Sequence, residues 1–180
     1  MTTPREQAKQ LICEIVAVAG GRLVGKVRLH KAFYFAHLYF WQRGTGVLTS
    51  HPLVRLPFGP AIDDGPSLLA ELVRDGQLRI TSQPNGPFKE AVFELAQPFQ
   101  INPNDDRYRA IEEAVEQVKQ KSAVELSEET HLYSRSWQEG QTGQELDIYA
   151  DLLDDLEYQQ CQQDLQRSRE LVHGVFQSPA

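Results

Sequence analysis

The sequence predicts a mainly helical α+β domain: a helical core, a small antiparallel sheet built on a β-hairpin, and a long C-terminal helix. Three observations carry this. Val27–Trp41 contains neither Gly nor Pro and sets Leu29, Phe33, Ala36 and Phe40 at steps of four, three and four, one face of a helix. Ala32, Phe35 and Tyr39 widen that face beyond what a surface helix needs, so this helix is central. Two alternating runs, Leu78–Thr81 and Ala91–Leu95, flank Pro84-Asn85-Gly86-Pro87, the composition of a hairpin turn.

The elements follow in order. Thr3-Pro4 opens a first helix with Ala8, Leu11, Ile12, Ile15, Val16 and Ala19 on its apolar face, and Gly20-Gly21 stops it. Arg22 to Lys26 reads as a linker into the core helix, which ends by Gly44. Leu53–Leu56 is a short strand, and Pro57 and Pro60 bracket Phe58-Gly59 in a rigid turn. A third helix runs from Pro66 to Gly76, ahead of the hairpin. The sheet contains the hairpin, with the 53–56 strand a candidate third member. Asn104 or Asp105 caps a fourth helix carrying Ile111, Ala114, Val115 and Val118. Ser122, with Glu125 three residues on, forms a capping box for a fifth. Gln138–Gln144 is a polar loop, and Ile148–Phe176 is one long acidic helix with Leu152, Leu153, Leu156, Leu165 and Leu171. Residues 1–150 are therefore the domain, and 151–180 an acidic helical extension packed on it or projecting from it.

A chain of 180 residues with 41% hydrophobic and 24% charged residues has an ordinary globular composition. No apolar run reaches the roughly eighteen residues of a membrane helix, and Arg5, Glu6 and Lys9 interrupt any signal-like stretch. Two unclustered cysteines, Cys13 and Cys161, fit a reducing cytoplasm and form neither a disulfide framework nor a zinc site. The net charge of −7 is uneven: residues 1–43 carry seven Lys/Arg against two Glu, and residues 144–173 carry eight Asp/Glu against two Arg. Such ends face each other, face a charged partner, or are merely solvated. At the start of the last helix, Asp151, Asp154, Asp155 and Glu157 complement the helix dipole.

Catalytic motifs are missing. The sequence has no phosphate-binding loop, dinucleotide fingerprint, His-Glu-x-x-His or Gly-x-Ser-x-Gly; Gly25-Lys26 has no strand before it and no Ser or Thr after it. His30 and His37 stand about 10 Å apart along their helix, too far to share one metal ion. His51 lies in a loop, His131 ends the fifth helix within reach of Trp137 and the PFGP turn, and His173 lies near the end of the last helix. Cys13 reads as core and Cys161 as surface. No catalytic residue, metal or cofactor is expected, and the chain is not expected to be an enzyme.

A second stripe runs beside the core face: His30, Tyr34, His37 and Trp41, side chains with apolar bodies and polar tips. The segment Leu-His-Lys-Ala-Phe-Tyr-Phe-Ala-His (29–37), the turn Pro-Phe-Gly-Pro (57–60), the helix Ala-Val-Glu-Leu-Ser-Glu-Glu-Thr-His (123–131) and Trp137 occur in that order. In order and spacing, over roughly residues 7 to 150, the chain resembles the Panacea domain, the SocA-like antitoxin family of bacteria and phages. Three departures stand out: Phe58 where the family pattern has Tyr before Gly-Pro, the inserted Asp63-Asp64-Gly65, and the extension after Tyr149. The resemblance implies an antitoxin that neutralises a toxin encoded beside it by stoichiometric binding, which needs no catalytic group. The stripe His30, Tyr34, His37 and Trp41, completed by Phe58 if the turn folds over the helix, is the expected contact. Alternatively, the four residues finish the domain's own core. Self-association is left open, and no membrane partner is expected.

Helix, helix, helix and hairpin is also the element order of a winged helix. On that reading Arg74, Arg79 and Lys89 would meet nucleic acid, although Glu71, Asp75 and the acidic total oppose it. A hydrolase, the third reading, would need a pocket of convergent polar groups.

Overall fold

A computed structural model of the chain describes residues 2–176, with side chains as far as Glu170; the side chains of Leu171 and His173 lie outside it. Thr3 accepts the Glu6 N–H at 3.2 Å and Pro4 takes the first turn, which starts α1 (Pro4–Val18). Gly20 and Gly21 end it at positive φ. The next three residues are not a linker. They form β1 (Arg22–Val24) before α2 (Lys26–Gln42).

Leu29, Ala32, Phe33 and Ala36 are fully or almost fully buried on α2, which packs against α1, α4 (Asp106–Lys119) and α5 (Ala123–Tyr133). The chain then makes β2 (Leu53–Leu56) and β3 (Gly59–Ile62), α3 (Gly65–Arg74), and the hairpin of β4 (Leu78–Asn85) and β5 (Phe88–Leu95). The hairpin turns at Gly86-Pro87, with Asn85 opposite Phe88.

The sheet differs from expectation in one respect. Its third strand is β1, in the order β1-β5-β4, while Leu53–Leu56 pairs with β3 in a separate two-stranded ribbon. Proline is tolerated there because β3 is an edge strand, and Pro60 takes its place opposite Arg55. A strand between the first two helices thus pairs with the second strand of the hairpin, and the ribbon is inserted before α3.

The C-terminal part is also broken differently. A short α6 (Arg135–Glu139) occupies the start of the expected loop, and Ile148–Leu152 is a single 3-10 turn. The long helix, α7 (Asp155–Phe176), starts anew because Asp154 and Glu157 cap each other: Glu157 N–H donates to the Asp154 carboxylate at 2.8 Å and Asp154 N–H donates to Glu157 at 3.0 Å. Ile148 is buried and Leu152 packs on the core, so the body extends through the 3-10 turn, just past the expected boundary.

The charge asymmetry resolves locally. Basic residues of the first segment pair with acids of the middle: Arg5 with Asp64 and Glu71, Lys9 with Glu71 and Asp75, Arg28 with Glu90, and Arg43 with Glu113. Among the described residues, no ion pair joins residues 1–43 to α7. The two ends therefore do not neutralise each other, and α7 stays acidic.

Candidate partner-binding site

The stripe on α2 divides on folding. His37 is 1% exposed and lies in the core; its Nδ1–H donates to the Phe33 carbonyl at 2.8 Å, and burial pushes its pKa down to about 4. Tyr34 is 3% exposed and donates to Asp151 at 2.6 Å; burial, then the carboxylate, push its phenol well above the usual range. These two residues form no exposed contact surface, because His37 lies in the core and Tyr34 is covered where Asp151 of the 3-10 turn meets it. Trp41 remains 46% exposed, with its ring tilted by 38° against Tyr149 at a centroid distance of 4.7 Å.

Asp151 is likewise no helix-start carboxylate. It accepts from Tyr34 Oη, Ser134 Oγ, Ser136 Oγ and the Ser136 N–H, at 2.6 to 3.1 Å, and so fastens the 3-10 turn to α2 and α6.

At the other end of α2 the geometric condition set for Phe58 is met. The Pro57-Phe58-Gly59-Pro60 turn folds over the first turns of the helix. Phe58, 67% exposed, and His30 line one cavity of about 250 Å³ together with Lys26, Val27, Lys31, Leu56 and the 59–61 backbone. Apolar groups make most of its wall. His30 is oriented by the ribbon: the Ile62 N–H donates to Nδ1 at 3.1 Å, so Nε2 carries the proton, and burial followed by Lys31 pushes the pKa to about 4.

Lys31, beside the cavity, is 1% exposed, and its ammonium donates to the Pro60 carbonyl at 3.1 Å. Burial pushes its pKa down to about 7. Gly59 lies against it at φ +102°, where a Cβ would stand 2.2 Å from Lys31 Nζ and 2.4 Å from Thr130 Oγ1. Only glycine lets the turn come this close.

Behind the turn, His131 stacks on Trp137 at 3.9 Å, Arg55 lies 4.2 Å over the same indole, and Trp137 Nε1–H donates to the Leu56 carbonyl at 2.8 Å. The stacking expected of His131 is therefore present; burial lowers its pKa, and the nearby Pro57 carbonyl opposes that shift. The four segments that carry the resemblance meet around this turn: His30 and Lys31 from the first, Phe58 to Pro60 from the second, Thr130 and His131 from the third, and Trp137.

Sequence reasoning missed Lys31. The signal was present, since Lys31, Phe35 and Leu38 stand at steps of four and three on a buried face of α2.

A larger cavity of about 510 Å³ lies between residues 47–53 and 145–149. Its imidazole, His51, already donates Nε2–H to the Asp63 carbonyl at 2.9 Å. Among the described residues, no three His, Cys, Asp or Glu side chains come together as metal ligands, and no helix is long and apolar enough to cross a membrane. Compared with protein-family models, with curated proteins and with solved structures, the chain finds no match.

Proposed function

We propose that this chain is a stoichiometric protein-binding module, an antitoxin-like neutraliser of a cognate toxin encoded beside it. The observation that carries the reading is the apolar cavity between α2 and the β2–β3 turn, with Phe58 two-thirds exposed at its edge and Leu56 beside it. An exposed aromatic next to an apolar pocket is the usual anchor of a protein interface. The resemblance to the Panacea domain supports the same reading, because the segments that carry it converge on this turn. Acidic α7 would add electrostatic steering toward a basic toxin, mainly through the association rate.

The test is co-expression with the neighbouring gene product. A short neighbouring reading frame should be toxic alone and harmless with this protein. Phe58→Ala should lose rescue with an unchanged melting curve, since the residue is 67% exposed and outside the buried core. Full rescue by the folded variant would move the contact away from this turn.

One observation favours a second reading, a winged-helix nucleic-acid binder: the strand order β1-β5-β4 behind α3. The charge on α3 opposes it. Glu71 is held by Arg5 and Lys9, and Arg74 lies 3.1 Å from Asp75, which leaves no basic stripe on that helix. Random duplex DNA in a salt series separates the two readings, because phosphate contacts would give an affinity that falls steeply with salt.

A further inference from the structure

Lys31 is a buried cation without an anion. Burying an ammonium is unfavourable unless it is paired or fully hydrogen-bonded. Among the described residues, no carboxylate lies within ion-pair distance of Nζ, and its hydrogen bond goes to one carbonyl, Pro60 O. The titratable groups beside it are neutral or basic: Lys26 and His30 share the cavity wall with it, and His131 on α5 feels its charge. Arg55 and the carboxylate of Glu128 act on His131 rather than on Lys31, whose lowered pKa has burial as its cause. Thr130 Oγ1, its polar neighbour across Gly59, directs its proton to the Leu126 and Ser127 carbonyls; its lone pairs can accept, but a neutral hydroxyl supplies no anion. The cavity that Lys31 borders adds a second cation, Lys26, and no acid.

We propose that this cavity is a binding site for a small apolar monocarboxylate, whose hydrocarbon part fills the space under Phe58 and whose carboxylate pairs with Lys31. Size and charge both select this class. At about 250 Å³ the cavity is smaller than the usual sites for drug-sized ligands, and its wall is almost entirely apolar apart from its basic groups. A carboxylate supplies the missing anion and accepts from the ammonium in a short charge-assisted bond. An amide of the same shape would leave the cation unpaired. Binding would also draw a proton onto Lys31, since the anion favours the charged form of an amine that burial holds near pH 7. The site shares its walls with the proposed protein contact but does not depend on a toxin, so it can fail while rescue succeeds, and the reverse.

The experiment is calorimetric titration of the full chain at pH 7.5 with 3-phenylpropanoate and with 3-phenylpropanamide, each in two buffers of different ionisation enthalpy. The acid should bind at least about tenfold more tightly than the amide. Its heat should change with the buffer, which reports proton uptake. Lys31→Met should lose the preference for the acid and the proton uptake while melting no lower than the parent. Equal affinity for acid and amide, binding of neither, or a Lys31→Met variant that still prefers the acid would each overturn the proposal.

Discussion

At the scale of single residues, Lys31 sets the balance between fold and site. Its folded pKa of about 7 lies below the ordinary 10.5. Between those values the unfolded chain binds a proton that the folded chain does not, so stability rises with pH across the window and is lowest below 7. The full span is on the order of 5 kcal/mol. Lys31→Met keeps the aliphatic stem and removes the unpaired charge, and should stabilise the protein by about 1–3 kcal/mol at pH 7. Urea unfolding at pH 7 and at pH 9.5 checks this: the parent should gain stability between the two, and the variant should gain much less. A less stable variant at pH 7 would mean that the Pro60 hydrogen bond outweighs the desolvation of the charge. The residues of the site were only half legible in the sequence. Helical spacing gives the direction of His30, Tyr34, His37 and Trp41 around α2, but not what covers each direction. Burial of Tyr34 depends on Asp151, 117 residues away, and no local pattern encodes that contact. His30 and Phe58 line one cavity because the PFGP turn is rigid and Gly59 admits close approach, and those features were visible.

At the scale of elements, legibility followed length and caps. α2 and α4 were readable because their apolar spacing repeats over several turns, and α5 because Ser122 and Glu125 form a reciprocal cap. β1 escaped because three residues cannot display an alternation; its identity comes from pairing Leu23 opposite Phe93. The 59–62 strand escaped because Pro60 argues against a strand, although an edge accepts it. The restart at Asp154 had a legible signal in Asp154 and Glu157 that the run of leucines obscured. The central element bears the largest load. Phe33 is fully buried on α2, 4.8 Å from the His37 ring, where helices and sheet converge. Phe33→Ala should cost about 3–5 kcal/mol, by lost transfer energy and the cavity left behind. Thermal unfolding followed by circular dichroism reads this directly, and a melting temperature equal to the parent's would show that α2 is not the core element.

At the scale of the whole molecule, acid stability and the role of α7 follow from how charge is buried. His30 and His37 both have folded pKa values near 4 against an ordinary 6.5, with burial the leading cause. Between pH 6.5 and 4 the unfolded chain takes up protons that the folded chain refuses, so stability must fall as pH falls through that window. Each ring contributes about 2–4 kcal/mol over the span. His37→Phe should flatten the slope measured by urea unfolding at pH 7 and pH 4.5, whereas an unchanged slope would place the lost stability elsewhere. The body that carries these rings ends in the 3-10 turn, where Asp151 and Leu152 attach to the core. Beyond it, the side chains of residues 155–170 are exposed except Tyr158, which lies against Arg135 and hydrogen-bonds Glu139. Exposed ion pairs and a single aromatic contact contribute at most about 1 kcal/mol. Removing residues 155–180 should therefore lower the melting temperature by no more than about 2–4 °C. The same truncation should leave binding of 3-phenylpropanoate unchanged, because α7 supplies no wall of the cavity under Phe58. It should slow association with a basic partner modestly and weaken the dependence of that rate on salt, because four carboxylates against two arginines have been removed while the apolar contact remains. Stopped-flow association at low and high salt measures both. A truncated chain that melts far lower would make α7 part of the body, and one that associates at the parent rate at low salt would take the helix out of recognition altogether.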